Sequence, residues 1–477
     1  MSDLENILRK ERTDEEFSRL SGKIKLWIDE RQKKDKTGEL IGRQATRLEM
    51  INKFLTGAKG ILDDGIKRIK PTPGQPTDSV YQAFQPYDET IVWLDRACEY
   101  FSDKYAQRDV DQKAAAVLEA ADEVVWSCYQ PPISKVYQAR PENLKPAPLP
   151  YLAAEYSPAA RQSDKGAPEE LLRGALAPGL RKILDQFPVG LLRLPPWCIE
   201  QPWWLIFIAH EVGHHVLHDL ALAAAFSEQV TQIAQQMGIT GETELANWER
   251  WSEEIFADFY AVVMTGEAAV WALWEIVRTT PPGLLRPGPL YPPSAIRILL
   301  MIFALREIKL SNPVEPTGDS LGDLESSLNT LVETSAQKTN LQAGKKTVEY
   351  LIALEVTNPK IRLIEACGIS ETQKQMVIMA KYWEANLVKA TLPPVTVGLE
   401  QARWILIGSF RAWQKALKTA ERKKTAGVLS RNTLAALRKA GPPGKRGIDD
   451  QFKPESALER GKQLAQLLLD GSELDTE

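Results

Sequence analysis

The sequence predicts a mainly α-helical protein, α+β overall, in which a small mixed region lies between two helical flanks. Apolar residues recur at helical spacing through most of 1–130 and again after 312. Between these flanks, 131–179 is rich in proline and is expected to be mostly loop. Two short apolar stretches near it, 149–156 and 187–196, have the length of strands. The expected domains are 1–135, 136–312 and 313–477.

Composition indicates a globular protein in a reducing compartment. The 477 residues are 44% hydrophobic and 26% charged, and the net charge of −4 favours neither nucleic acid nor a membrane surface as a partner. The four cysteines are far apart and form no C-x-x-C, which argues against a disulfide framework. The first residues are acidic and polar, and no apolar run reaches about 18 residues. We therefore expect a cytoplasmic protein with no membrane span.

The amino-terminal flank is expected to be a set of helices in a charged background. Leu4, Ile7 and Leu8 recur at helical spacing, and the alanine-rich stretch 114–125 is close to the pattern of a helix-bundle core. The clearest break is the proline-rich stretch that begins at Pro71. The predicted helices of this flank cover 40–69, 88–105 and 109–129.

All four histidines of the chain lie within the nine residues 210–218. His210 and His214 are four residues apart, so on an α-helix both imidazoles lie on one face and can bind a common ion. Glu211, the next residue round, can approach the ion's free side as a general base without being a ligand. The H-E-x-x-H spacing therefore predicts a catalytic zinc site on a helix, in a segment for which Pro202 suits the first position.

A catalytic zinc site usually takes three protein ligands, so a third ligand is needed. After a polar connector at 241–251, a second helix is predicted to run towards 277, with Glu254 and Asp258 on one face. We expect Glu254 to bind the metal. Asp258 is expected to accept a hydrogen bond from the other ring nitrogen of a ligand histidine, which fixes that ring's orientation.

Several alternatives stay open around this ligand set. Glu253 competes with Glu254, although it has no carboxylate four residues further on. His218 lies four residues beyond His214 and could complete a site of three histidines. His215 is expected on a polar face rather than in contact with metal or substrate. Gly213 has no side chain and would let another backbone pack closely.

The motif His210-Glu211-x-x-His214 followed by Glu254-x-x-x-Asp258 resembles the gluzincin group of zinc metallopeptidases, the thermolysin-like arrangement. The resemblance covers roughly 145–310. It implies a zincin-like metallopeptidase core with a small edge sheet, a Zn2+ cofactor and a protein or peptide substrate. In zincins a strand upstream of the zinc helix offers its edge to the substrate backbone.

The metzincin group fits badly. That group continues the motif with a glycine and a third ligand histidine, where this chain has Leu217 and Leu220. A further element, 291–297, is similar to the H-P…R element of the CAAX-prenyl-protease branch of gluzincins. Tyrosine replaces the histidine of that element, and this chain lacks the apolar runs of that membrane-embedded branch.

Two residues of the 291–297 element are candidate catalytic groups. Tyr291 could donate a hydrogen bond to the oxyanion that forms when water attacks a carbonyl, or could simply pack on the neighbouring prolines. Arg297 could also stabilise the oxyanion, or could hold Glu254 or the loop in place. The element is expected to open a helix at 294–310.

The sequence-based hypothesis for function is a zinc-dependent endopeptidase regulated by its helical flanks or by a protein partner. The alternative is an assembly or sensor subunit that keeps a zinc site without free-standing activity, since the flanks make up about two-thirds of the chain. In a variant of this idea, a Cys198 thiolate blocks the zinc.

The carboxy-terminal flank carries the sharpest charge asymmetry in the chain. From 411 to 446 eleven Lys and Arg residues accompany a single acidic residue, Glu421. This segment is a solvated helical face or a contact surface for an acidic protein or nucleic acid. No recognised nucleic-acid motif supports the latter partner. The predicted helices of this flank cover 321–331, 345–356, 373–389 and 399–420.

Overall fold

The computed structural model describes residues 2–37, 44–137, 146–154, 159–161, 189–309, 321–356, 360–420, 422–442 and 455–469. Within these residues the protein is mainly helical and has two small β-sheets, which confirms the predicted mainly helical class with a small sheet. The zincin-like core stays a prediction. Among the described helices, none combines the length and the apolar character needed to cross a bilayer.

Four long helices form the amino-terminal part of the chain. The three helices predicted here are confirmed, but the last continues through Pro131 and Pro132, where the sequence predicted a loop. Both prolines are buried together with Ile133, so packing offsets the lost backbone hydrogen bonds. The bounds are α1 Ser2–Thr37, α2 Ala45–Arg68, α3 Thr77–Val110 and α4 Gln112–Tyr137.

The first sheet has three strands, β1 (Leu149–Leu152), β2 (Ala159–Arg161) and β3 (Leu191–Leu194), in the order β1-β3-β2. β1 runs parallel to β3, and β2 runs antiparallel to it. Both predicted strands are confirmed. Proline within a strand favours an edge position. β1 is an edge strand, whereas β3 is central because the unpredicted β2 pairs with its other side.

This sheet separates two hydrophobic cores because successive side chains of a strand point to opposite faces. Leu149 and Tyr151 of β1 belong to the core that α1, α2 and α3 build. Leu192 and Leu194 of β3 belong to the larger core that contains α4 and the histidine-bearing helix. The sheet thus joins the amino-terminal bundle to the region of the predicted zinc site.

The central region is helical on either side of the histidines. Two 3-10 turns, Pro196–Ile199 and Pro202–Phe207, lead into the histidine-bearing helix, and Pro202 occupies the start of its turn as predicted. The predicted connector at 241–251 is helical instead, since the next long helix begins at Glu242. The bounds are α5 Ile208–Asp219, α6 Ala223–Gln236, α7 Glu242–Thr265, α8 Glu267–Val277, α9 Pro281–Leu285 and α10 Ser294–Glu307.

Glycines shape this region at two positions. The helix expected to reach 277 is broken between α7 and α8 at Gly266, whose φ of 59° is a left-handed value that favours glycine. Gly213 lies where α5 crosses α7, and a Cβ there would be 3.0 Å from Ala257 Cα. The predicted close backbone approach at Gly213 is therefore confirmed, and it brings α5 and α7 together.

The last helix of the carboxy-terminal part packs against the amino-terminal bundle. All four helices predicted in this flank are confirmed with shifted ends, and two further helices follow them. The last helix packs on α2, with Ala457, Leu464 and Ala465 in the core of the amino-terminal bundle. The bounds are α11 Leu321–Glu333, α12 Lys338–Ala353, β4 Glu355–Val356, β5 Ile361–Arg362, α13 Leu363–Ala366, α14 Ile369–Asn386, α15 Gln401–Leu417, α16 Arg422–Leu437 and α17 Glu455–Leu469.

The two cores do not follow the expected domain boundaries at 135 and 312. Most of the α4 core residues belong to the larger core, which extends through α10 into α15 and α16. The amino-terminal bundle in turn includes α17 from the far end of the chain. The domain boundaries themselves stay a prediction.

Candidate metal centre

The predicted ligands come together where α5 crosses α7. His210 Nε2 lies 3.3 Å from Glu254 Oε2, and His214 Nε2 lies 3.5 Å from Glu254 Oε1. One ligand atom from each of these three residues lies within 4.8 Å of the others. The imidazole rings are nearly perpendicular, at 83°, with their centroids 5.0 Å apart. Three side chains from two helices thus converge on one point.

The spacing of these donor atoms suits zinc. Zinc binds imidazole nitrogen and carboxylate oxygen at about 2.0–2.2 Å, so neighbouring ligand atoms of a tetrahedral site lie roughly 3.3–3.6 Å apart. Each histidine lies at such a distance from one of the two Glu254 oxygens, His210 from Oε2 and His214 from Oε1. Two imidazoles and one carboxylate are also a ligand set of catalytic zinc sites, which leave a fourth position for water or substrate.

Asp258 and Arg297 bond to two members of this cluster, His210 and Glu254. His210 Nδ1 lies 3.0 Å from Asp258 Oδ1, so the ring nitrogen that faces away from Glu254 donates to a carboxylate. Arg297 from α10 donates to both Asp258 oxygens, at 2.7 and 2.8 Å, and approaches Glu254 Oε2 at 3.4 Å. Because Asp258 and Arg297 are both buried, this arrangement fixes the His210 ring and Glu254 together.

The electrostatics of the cluster favour a cation. Burial lowers the pKa of His210, but hydrogen bonds and charges from Asp258 and Glu254 outweigh it and raise the pKa to about 10. Burial raises the pKa of Asp258, whereas Arg297 and His210 lower it further, to about 2. The pKa of Glu254 is also lowered, because His210, His214 and Arg297 outweigh burial. Two ionised carboxylates therefore face the histidine pair at neutral pH.

The two predicted reacting groups lie beside the cluster. Glu211 is buried and follows His210 on α5. Tyr291 is exposed, and the Arg297 guanidinium lies 5.0 Å from its ring centroid. Partial burial of the side chain and the negative charges of Glu254 and Glu211 raise the pKa of Tyr291, so its hydroxyl keeps its proton. Glu211 thus adjoins His210 along the helix, and Tyr291 packs against Arg297.

The structure separates the alternative ligands from the cluster. His218 Nε2 lies 3.4 Å from Glu253 Oε1, so these two side chains pair with each other one helical turn further along. Among the described residues, the group of side chains spaced to hold an ion is the one with Glu254. Cys198 is buried, and burial raises the pKa of its thiol, which argues against a thiolate that blocks the zinc.

Sequence reasoning missed the role of His215, which was expected on a polar face. His215 is buried, and its Nε2 lies 3.3 Å from the carbonyl oxygen of Leu191 in β3. Gly190 makes room for the ring, because a Cβ there would be 2.8 Å from His215 Cε1. This contact ties the histidine-bearing helix to the central strand of the sheet. No local pattern signals it, since the partners are 24 residues apart.

The chain matches no protein-family model, no curated protein and no solved structure at a significant level.

Proposed function

We propose that this chain is a zinc-dependent endopeptidase that hydrolyses peptide bonds in a protein substrate, with the gluzincin-like ligand set His210, His214 and Glu254. The observation that carries the proposal is the convergence of these three side chains. Glu211 lies on the same helix as His210 and His214, next to His210 in the sequence. H-E-x-x-H alone arises by chance in many proteins. A glutamate from a different helix at ligand distance, backed by a carboxylate on His210, is a much rarer coincidence.

The ion, when bound, acts as a Lewis acid that polarises the scissile carbonyl and makes water a stronger acid. Glu211 takes the proton of the attacking water and delivers it to the leaving amine. Asp258 holds His210 in the tautomer that directs Nε2 to the ion.

Tyr291 is the better candidate of the two for stabilising the oxyanion. Its hydroxyl stays protonated and is on an exposed side chain, so it can donate to a substrate oxygen. The Arg297 guanidinium is buried and already bonded to Asp258 and Glu254. Arg297 therefore acts by holding these carboxylates, which is the second of the two roles considered for it.

The sheet favours one side for an extended substrate. On the outer side of β1, Gln107 bonds both the backbone N–H and the carbonyl of Leu152, and Arg108 donates to the carbonyl of Pro150. This edge is therefore covered by side chains. β2 forms the other edge and contacts α5, so a substrate backbone that adds to β2 passes near the ligands.

The test combines metal content with turnover. Elemental analysis of the purified wild type should find about one zinc per chain, and His214→Ala and Glu254→Gln should lose it or bind it much more weakly. Glu211→Gln should keep the zinc and lose cleavage of a mixed peptide substrate by a factor on the order of 10³. Cleavage at the wild-type rate by zinc-loaded Glu211→Gln would contradict the role of Glu211 as general base.

The same measurements separate the peptidase from the alternative. Zinc bound at the wild-type site, without cleavage by any preparation of the full chain, would favour an assembly or sensor subunit that retains the site. Activity that appears only with an added protein would support a regulatory partner acting through the helical flanks. A cytoplasmic location, like the choice of substrate, remains part of the proposal.

A further inference from the structure

A groove of 1230 Å3 lies between α8, α11, α14 and α15. It reaches Thr265 at the end of α7, eleven residues beyond Glu254, which is about 16 Å along the helix. The groove is therefore separate from the candidate metal centre. Half-buried and buried apolar side chains line its walls: Trp271, Trp274, Leu324, Leu328, Leu331 and Met376.

The size of the groove suits a helix. An α-helix with its side chains is about 10 Å across and rises 1.5 Å per residue. The groove is large enough to receive the side chains on one face of a helix. A small-molecule pocket is usually smaller, about 300–1000 Å3.

One end of the groove is basic. Arg411, Lys415 and Lys418 line it on the α15 side, and they belong to the basic segment 411–446. Glu384 forms ion pairs with both Arg411 and Lys415. Three lining cations and one buried carboxylate, which pairs with two of them, leave this end of the groove with a net positive charge that favours an acidic partner.

The chain itself carries a matching surface at the start of α1. Leu4, Ile7 and Leu8 lie on the outward face of this helix and are 61%, 52% and 53% exposed. Glu5 and Glu11 are also exposed and accompany this stripe. Residues 2–11 span about 15 Å of helix. We call Leu4, Ile7 and Leu8 the apolar stripe.

The inward face of the same helical turns bonds to the rest of the amino-terminal bundle. Asn6 donates to the carbonyl of Gln75, and Arg9 bonds Thr13 and Asp88. The start of α1 is thus held on the bundle with the apolar stripe pointing outward. Because the stripe is exposed within its own chain, a contact between stripe and groove must join two copies.

We propose that the apolar stripe of one copy docks in the α8–α11–α14–α15 groove of a second copy, with Glu5 and Glu11 towards Lys415 and Lys418. The two surfaces differ, so the contact either forms twice in a reciprocal two-fold dimer or continues head-to-tail from copy to copy. Three apolar side chains make a small interface, so the association is weak and needs high protein concentration.

The experiment is sedimentation velocity of the full chain from about 1 to 100 µM, the range in which weak contacts of this size are populated. Wild type should shift from monomer to larger species as the concentration rises. Ile7→Ser with Leu8→Ser should remain monomeric, as should Leu324→Gln. Leu26→Ser is the matched control, since Leu26 is an equally exposed leucine of α1, at 62%, outside the stripe.

Mixing distinguishes this contact from any other. The stripe variant keeps an intact groove, and the groove variant keeps an intact stripe, so an equimolar mixture should recover a heterodimer that neither forms alone. Lys418→Glu, an exposed change that spares the fold, should weaken association, and Glu5→Lys in the other copy should restore it. Monomeric wild type at the highest concentration, equal loss with Leu26→Ser, or no recovery on mixing would each overturn the proposal.

Discussion

Two buried clusters in this protein pair an aspartate with arginine. They differ in whether the neighbouring side chains bond only to the protein or also converge on a possible ion site. In the candidate metal centre, Asp258 binds Arg297 through both oxygens and receives a hydrogen bond from His210. At the junction of α2, α3 and α4, Asp122 binds Arg47 at 2.7 Å and Arg108 at 3.1 Å.

In the Asp122 cluster, the remaining donors of the two arginines bond to backbone carbonyls. Arg47 also donates to the carbonyls of Ala147 and Pro148, and Arg108 donates to that of Pro150. Its donors therefore tie β1 to three helices. The Asp258 cluster instead orients His210 and Glu254, whose remaining atoms converge with His214. The same pairing thus stabilises the fold at one place and presents ligands at the other.

The largest expected effect comes from breaking the Asp122 cluster. Asp122→Asn leaves Arg47 and Arg108 buried without a charge partner, so the free energy of unfolding should fall by about 3–5 kcal/mol. Denaturant unfolding of the two proteins measures this difference. Zinc content at saturating metal should not change, because no ligand contacts the cluster. A loss below about 1 kcal/mol would contradict the structural role.

The corresponding change in the candidate metal centre should act on the metal. Asp258→Asn keeps the shape of the side chain but removes the charge that orients His210 and holds Arg297, so zinc affinity should fall by about 10- to 100-fold. Competition with a chelator of known affinity measures it. Asp122→Asn serves as the control for general destabilisation, and an unchanged affinity in Asp258→Asn would remove Asp258 from the site.

A smaller effect is expected where the sheet meets the histidine-bearing helix. Gly190→Ala places a Cβ 2.8 Å from His215 Cε1 and should cost about 1–3 kcal/mol of unfolding free energy through overpacking. Gly22→Ala is the control, because that position in α1 has open space and should gain up to about 1 kcal/mol. Equal melting temperatures of Gly190→Ala and wild type would contradict the contact with His215.

The smallest effect is the acid dependence of the Asp122 cluster. Burial raises the pKa of Asp122, but Arg108 and Arg47 outweigh it, so the folded-state pKa lies below 3.8. A carboxyl with a lowered folded pKa contributes its stability above its unfolded pKa and loses it as the pH falls through the folded one. The stability difference between wild type and Asp122→Asn should therefore shrink below about pH 3.8. A constant difference from pH 5 to pH 2.5 would contradict this.

Local spacing made much of the fold and the ligand set predictable. The helical flanks follow from apolar periodicity, and His210, His214 and Glu254 follow from four-residue spacing within single helices. Errors occurred where packing outweighed local preference. Pro131 and Pro132 continue α4 because they are buried, and the three-residue β2 has too little pattern to be recognised.

The sequence by itself determined which residues can share a helical face, because that depends only on the rise and turn of one helix. It therefore determined that His210 and His214 form a pair and that Glu254 and Asp258 form another. Only the tertiary structure decided that these pairs meet, that Arg297 holds Asp258 and that His215 bonds Leu191. Those contacts join segments 24 to 44 residues apart, and their geometry is set by how whole helices and the sheet pack.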